Sequence, residues 1–437
     1  MISPSPIPST VSAPDSEISR IPPEQIAATL AAAFQEGVFT EDDDTVLFYD
    51  TDRLRARIAD LQSAFPVSTL HAIAVKANPT IALLKLAASL GIGAEIASSG
   101  ELAIVDAAGL NPRTLVFDSP AKTEREIRHA TQLPLLLNAN SSAELHRIAD
   151  IGPTRARIGL RINPLVGMGT IDHTSTATFG SKFGVPIDIA RAVVQDYVSR
   201  GGRLDALHVH VGSQGMSIQQ LVSACGSVYA LFCELREPLP ELSMLDIGGG
   251  LSVSYGNEAT AHTFGEYAQA LRTSIPGLWS PDITLATEFG RSLHANNGWV
   301  ASRIEYVLRD QNRNGTLVTH VGADLFVRAA YRPDVWSHEV FVLAPDGRLR
   351  TGENVLFSVA GPLCFSGDYI ARNASIPSDV APGDFLIVRD TGAYTSSMWS
   401  IYNSRQMPKS VGYSAESGFH TLTHRETLSS VVSRWSA

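Results

Sequence analysis

The sequence predicts an α/β fold: a (β/α)8 TIM-like barrel followed by a C-terminal β-rich domain of barrel or sandwich type. Three observations carry that prediction. Between residues 71 and 288, short aliphatic or β-branched runs alternate eight times with stretches of helical spacing. The alternation takes roughly 220 residues, close to the ~250 that such a barrel uses. Polar residues and glycines collect at the ends of those eight runs, which is where a parallel barrel gathers its chemistry. A doubly wound sheet is the competing architecture, but it normally has fewer strands.

Taken in order, the candidate strands are HAIAV (71–75), GAEIA (93–97), TLVF (114–117), PLLLN (134–138), ARIGLRI (156–162), LDALHVHV (204–211), MLDIG (244–248) and ITLATE (283–288). Segments such as TIALLKLAASLG and AELHRIADIG lie between them, with apolar residues at helical spacing and a closing glycine. After Arg291 the helical spacing fades. WVASRIEYVLRD, TLVTHV, HEVFVLA, VLFSVAG and DFLIVRD are separated by Gly, Pro, Asn and Asp turns, as strands are. The expected domains are therefore a partly disordered tail and lead-in over 1–44 that is itself a candidate to join the β-rich domain, a barrel over 45–290 and a β-rich domain over 291–437. TVLFYD (45–50), before the first barrel strand, is also a candidate to join the later sheet. Pro and Ser content predicts a disordered tail to about Ile21, and that tail lacks the basic and apolar regions of a secretory signal.

The bulk numbers narrow the function classes. With 437 residues, 44% hydrophobic and 18% charged, the chain reads as an ordinary soluble globular protein. A formal charge of −10 argues against a general nucleic-acid binder, which needs concentrated Lys and Arg. No run reads as long enough to cross a bilayer, so no membrane partner is expected. Three cysteines, Cys225, Cys233 and Cys364, without metal spacing fit a reducing, cytoplasmic setting. Cys225 and Cys233 sit in a helix-like stretch and read as core.

At or just past the strand ends come Lys76, Ser98, Asp118, Asn138, Arg161 with Asn163, His210 with Ser213, Gly248 to Gly250, and Glu288 with Arg291. Each has a plain reading. Lys76 could be a surface lysine that buries only its stem; ringed by apolar residues it could instead lose its proton and form an imine with a carbonyl. Gly248, Gly249 and Gly250 could be a flexible loop; between a strand and a helix, their bare amides could cradle a phosphate. His208 and His210 share a strand face, and with no acid or cysteine beside them in sequence no metal is expected. An imidazole stacked on a flat aromatic cofactor fits better. Imine lysine, phosphate cradle, stacking ring and buried carboxylate together serve one molecule, pyridoxal 5′-phosphate.

From about residue 45 to 415 the chain resembles the fold-type III pyridoxal-phosphate-dependent decarboxylases, the ornithine and diaminopimelate decarboxylase family. The motifs are AVKAN (74–78), ASSGEL (97–102), SKFGV (181–185), HVHVGSQ (208–214), DIGGG (246–250), EFGR (288–291), GPLCFSGD (361–368) and GAYTSSMWSIYNSR (392–405). HVGSQ and YNSR lean toward the diaminopimelate branch. The resemblance implies that Lys76 holds the cofactor as an imine, that His210 stacks on the pyridine face and that Glu288 pairs with the pyridine nitrogen. It places Ser213, Gly250, Gly290, Arg291 and Tyr394 at or near the phosphate. It also implies a homodimer in which Cys364 reaches the partner's site and returns a proton to Cα, with Tyr394 as the alternative donor. Arg291, Arg328, Tyr331, Arg332, Phe365, Asp368 and Tyr394 would line the substrate.

The departures from the family shape the substrate expectation. Phe289 replaces a frequent proline, and Glu95 stands where the family often has Asp. Phe365 follows the cysteine where the diaminopimelate and ornithine branches carry an acid that pairs with the substrate's distal ammonium. Losing a buried charge partner costs on the order of 3 to 5 kcal/mol, and a cation over a ring recovers only about 0.5 to 2 kcal/mol. The expected substrate is therefore an L-amino-acid type whose distal group is neutral, amide-linked or acidic. A citrate–diamino acid conjugate of siderophore biosynthesis and a carrier-bound aminoacyl group are examples. The alternative is meso-diaminopimelate decarboxylation in lysine biosynthesis. A racemase is disfavoured by Glu288, since racemases of this fold set an arginine against the pyridine nitrogen. A non-catalytic cofactor-binding protein would lack the β domain and its cysteine motif.

Overall fold

The computed structural model describes residues 20–166, 177–178, 180–256, 261–311 and 314–436. The expected tail falls outside them except for Arg20 and Ile21. The chain divides into two compact units, one of Arg55–Val253 with Thr260–Leu293, the other of Met1–Leu54, Ser254–Ala259 and His294–Ala437.

The first unit is a closed parallel barrel. Its strands run Leu70–Ala74, Gly93–Ile96, Leu115–Asp118, Leu136–Ala139, Arg157–Asn163, Ala206–His208, Met244–Asp246 and Thr284–Thr287. The ring closes where the last strand pairs with the first, Ala286 opposite Leu70 and Thr287 opposite His71. His71 Nδ1 and Thr287 Oγ1 hydrogen-bond there at 2.8 Å. Covered on both faces, these strands can be apolar throughout, so the sequence shows them as short aliphatic runs. Ala72, Val116, Leu136, Ala206, Met244 and Ala286 fill the interior. Helix starts are marked by side chains that satisfy otherwise orphaned N–H groups: Ser98 and Ser141 cap singly, while Thr123, Ser217 and Thr263 form capping boxes.

One helix of this unit corrects an expectation. Ile218–Arg236 is long and apolar enough to span a bilayer by length and composition. Its apolar residues follow helical spacing, and Leu221, Ala224, Cys225, Val228, Leu231, Phe232 and Leu235 are buried within the protein, which is how a core helix uses such a run. On the same helix Cys225 is buried as expected, whereas Cys233 is exposed.

The second unit is built on an antiparallel-rich sheet. Its strands lie in the order Tyr369–Pro377, Asn354–Ala360, Gly315–Thr319, Gly298–Arg309, Thr45–Asp50, Lys409–Ser414 and Gly418–Thr423, and Phe385–Arg389 joins Gly298–Arg309 to Val340–Leu343. Thr45–Asp50 belongs to this sheet, antiparallel to residues 298–302 and parallel to 409–413, so the barrel unit begins after it and not at residue 45. The reason is packing: every residue of the strand is buried, and Phe48 stacks on Trp299 with ring centres 4.2 Å apart. The lead-in forms a helix, Pro23–Gln35, opened by proline where no N–H partner is needed. It delivers Ile26, Leu30 and Ala33 to the same core as Phe48, Trp299 and Phe385.

Candidate active site

Lys76 leaves the strand Leu70–Ala74 in a single 3-10 turn, Val75–Ala77. Parallel pairing sets Ala74 beside Glu95, and the Lys76 ammonium forms an ion pair with the Glu95 carboxylate. Lys76 is thus not ringed by apolar groups as expected; its side chain is 39% exposed and held by a fully buried acid. Burial raises the Glu95 pKa, and the charge of Lys76 opposes that rise.

Deeper in the same mouth Glu288 ends the strand Thr284–Thr287. Its Oε2 lies 3.3 Å from His208 Nε2 and 3.8 Å from His210 Nδ1. Burial, then the charges of Glu95 and Asp118, push Glu288 up to about 8. Asp118 behaves oppositely: burial works against its charge, but Arg161 at 2.6 Å, with His208 and Lys122, holds it well below the usual carboxylate range. Burial, together with Arg161 and Lys76, drives the His210 pKa down and keeps its ring neutral. His210 Nδ1 accepts the Gly249 N–H at 3.2 Å, so the proton of the neutral ring belongs on Nε2. His208, His210 and Glu288 each bring one possible ligand atom within 4.8 Å of the others. A convergence of that kind was not visible from their sequence positions.

The glycine run is a fixed turn. Gly248 and Gly250 have φ of +66° and +107°, a region that side chains rarely adopt. A Cβ on Gly248 would sit 2.5 Å from the Val209 carbonyl oxygen, and one on Gly250 2.6 Å from that of Gly212. Beside this turn Arg291, buried and two residues past Phe289 and one past Gly290, donates from Nε to the Ser213 carbonyl at 3.2 Å and to its Oγ at 3.3 Å. Phe289 has a packing role of its own, with its ring edge-on to Phe264 and Tyr267.

The second unit carries the remaining expected residues. Cys364 is exposed, and its N–H donates to Asn403 Oδ1 at 2.8 Å. Phe365 stacks on Tyr331 with ring centres 5.7 Å apart and meets Tyr402 edge-on. Arg328 lies over the rings of Trp336 and Tyr394, at 4.8 and 4.5 Å. Tyr394 itself is held at φ 57°. Arg332 makes two bonds to Asp334 at the surface. Asp368 is buried, and its two carboxylate oxygens accept the Ala323 and Leu363 N–H groups, each at 2.6 Å. It fixes the loop that carries Cys364.

The barrel residues fit pyridoxal 5′-phosphate. A glycine turn that side chains would fill lies beside Ser213 and Arg291, as a phosphate needs. Glu288 Oε1 is buried, and among the described residues no nitrogen or hydroxyl donor reaches it, which leaves an acceptor for a ring N–H. Lys76 stands at the same mouth, its ammonium paired with Glu95. Sequence reasoning missed Glu95 as the partner of Lys76, and it missed Asp246, whose Oδ1 accepts the Gly248 N–H at 3.0 Å and whose only mark was an acid directly before the glycines.

The family model described as pyridoxal-dependent decarboxylase, pyridoxal binding domain, matches residues 51–295. Diaminopimelate decarboxylase of Helicobacter pylori is 33% identical over 366 residues, covering 82% of this chain and 87% of that protein. The enzyme of the same name from Pseudomonas aeruginosa is 34% identical over 369 residues, 82% and 84% of the two chains. Among solved structures, Helicobacter pylori diaminopimelate decarboxylase complexed with L-lysine superposes with a TM-score of 0.82 at 29% identity, over 92% of this chain and 99% of that one.

Proposed function

This chain belongs to the pyridoxal-dependent decarboxylase family, and from that premise we propose that it decarboxylates meso-diaminopimelate to lysine. The observation that carries the choice of substrate is the shared name of its relatives, diaminopimelate decarboxylases at 33 and 34% identity. Those relatives give no support to a siderophore conjugate or a carrier-bound aminoacyl group, so the alternative substrate of the sequence stands ahead of the first. Pyridoxal 5′-phosphate, when bound, supplies the electron sink for the pair left by the departing carboxylate.

The chain's own residues prepare that chemistry. Lys76 anchors the cofactor, and Glu95 holds its Nζ. Glu288 sets a carboxylate against the ring nitrogen and favours its protonated form. Neutral His210 lies against the ring face, while Ser213, Gly248 to Gly250, Gly290 and Arg291 bind the phosphate. Cys364, contributed by a second copy of the chain, returns the proton to Cα, with Tyr394 as the alternative donor. Arg328 and Tyr331 face the distal end of the substrate.

One observation favours a second reading. Phe365, packed between Tyr331 and Tyr402, offers no charge to a distal ammonium, so a substrate with a neutral or amide-linked distal group suits that wall better. Carbon-dioxide release from meso-diaminopimelate, compared with its ω-N-acyl derivative, lysine and ornithine, separates the two. Faster turnover of meso-diaminopimelate is expected, and faster turnover of the acyl derivative overturns it. Borohydride treatment of the loaded protein should leave the cofactor's mass on the peptide containing Lys76, and Lys76→Ala should abolish that label. A parent protein that takes no label ends the cofactor assignment.

A further inference from the structure

We propose that the second unit carries a binding site for a free α-amino acid, coupled through Asn403 to the loop that holds Cys364. The choice of L-lysine as its probe rests on the reaction proposed above. The site itself does not, since all its residues lie in the second unit.

The site is a cavity of about 280 Å³ at the start of the strand Thr45–Asp50, walled by residues from 320–324 and 399–408 and by Arg425 and Leu428. That volume suits a small metabolite, since larger ligands take roughly 300 to 1,000 Å³. Its charges are of both signs and are not closed on one another. Among the described residues the Arg405 guanidinium has no partner nearer than 3.5 Å: His320 Nδ1 lies at 3.5 Å and Asp324 Oδ2 at 3.7 Å. Both are beyond the roughly 2.7 to 3.2 Å of a well-made bond. His320 Nε2 is taken by Glu305 at 3.1 Å, and Arg425 commits Nη2 to Asp43 at 2.7 Å. Asp324 is buried; its Oδ1 accepts the Gly322 and Leu325 N–H groups, each at 2.9 Å, which leaves Oδ2 to face Arg405. Trp399 Nε1 is buried with no acceptor among the described residues, a loss that an oxygen in the cavity makes good. An anion alone would meet Asp324 and Asp44, and a cation alone would meet Arg405 and Arg425. A zwitterion suits both. Its carboxylate is the bidentate partner that Arg405 lacks and accepts from Trp399. Its ammonium meets Asp324 Oδ2, and its side chain lies along Trp399, Pro408 and Leu428. Asn403 carries the coupling. It lines the cavity, and its Oδ1 accepts the Cys364 N–H at 2.8 Å. Asn403 and Ser404 are held at φ of 56° and 53°. Strain of that kind is kept only where the surroundings impose it, so a ligand beside Asn403 bears on how Cys364 is held.

The test is calorimetric titration of the borohydride-reduced holoenzyme, in which Lys76 cannot exchange its cofactor, with L-lysine and with L-alanine. L-Alanine separates a site for any amino acid from one for the product, and saturable binding of either supports the site. Arg405→Gln should weaken that binding on the order of a hundredfold, as removing one partner of a desolvated charge pair does. Trp399→Phe keeps the ring and removes the N–H, and should weaken it about tenfold. Cadaverine, which lacks the carboxylate, and 6-aminohexanoate, which lacks the α-amine, should each bind about tenfold more weakly than L-lysine or worse. At saturation the alkylation rate of Cys364 should change while that of Cys233, also exposed, stays the same; Arg405→Gln should remove the change. The proposal is overturned if neither amino acid binds, if Arg405→Gln binds like the parent, or if 6-aminohexanoate binds as tightly as L-lysine. An unchanged Cys364 rate at saturation overturns the coupling. Should Arg405→Gln fail to fold, Trp399→Phe decides, and unchanged affinity there overturns the site. A parent that takes no label at Lys76 overturns the cofactor assignment alone, and the same titration of the unreduced protein then decides this inference.

Discussion

At Glu288 the charge state follows from burial. Burial and the charges of Glu95 and Asp118 push this carboxyl up to about 8, whereas an unfolded chain releases the same proton near pH 4.5. Between those values the folded, cofactor-free protein binds a proton that the unfolded chain does not, so this group's contribution to stability falls as pH rises. Glu288→Gln removes that dependence. Thermal melts of the cofactor-free proteins should show the variant gaining on the parent from pH 5 to pH 8; a constant difference would refute the assigned cause. The strand-end position of Glu288 made it legible in the sequence, as it did Lys76 and His210. Glu95 was not legible as the partner of Lys76, nor Asp246 as the acceptor of the Gly248 N–H. Which acid faces which base depends on strand register across the barrel, and the order of residues along one strand does not contain it.

Among the elements, the turn Gly248–Gly250 is the most constrained. A side chain at Gly248 meets both an unfavourable φ and a backbone oxygen 2.5 Å from its Cβ. Left-handed backbone alone costs about 1 to 2 kcal/mol for a residue with a Cβ, and the contact adds to it because backbone gives way poorly. Gly248→Ala should lower the melting temperature and weaken cofactor binding about tenfold or more, since Asp246 holds the Gly248 N–H. Retained affinity would show that the turn is not the phosphate cradle. The eight barrel strands were legible because burial on both faces leaves unbroken aliphatic runs. Three strands of the second unit were not. Tyr369–Pro377, with its interior Arg372 and Asn373, shows weak alternation, and Lys409–Ser414 and Gly418–Thr423 are short, polar and glycine-containing. Such strands are defined by their neighbours more than by their own composition.

Over the whole chain, the beginning and the end fold into one unit. Arg20 ion-pairs with Asp390 and Glu339, and Arg389 donates to the Ile21 carbonyl at 2.6 Å. Through Ile26, Leu30 and Ala33 the helix Pro23–Gln35 closes a core that otherwise comes from residues 39–48, 299–301 and beyond 340. The sequence offered the lead-in as a candidate to join the β-rich unit, but not which core it covers, because a helix of modest length carries no record of the distant sheet beneath it. The energetic consequence is direct. Burying Ile26 and Leu30 is worth about 1.5 to 3 kcal/mol each, and removing the helix exposes the aromatic rings beneath as well. A chain shortened to begin at Glu36 should therefore lose on the order of 5 kcal/mol, which for a unit of this size lowers the melting temperature by roughly 10 °C or more. Differential scanning calorimetry measures it. Replacing Leu30 alone by alanine should reproduce part of the loss, about 2 to 5 kcal/mol, and a shortened chain that melts with the parent would show that the sheet needs no cover from this helix.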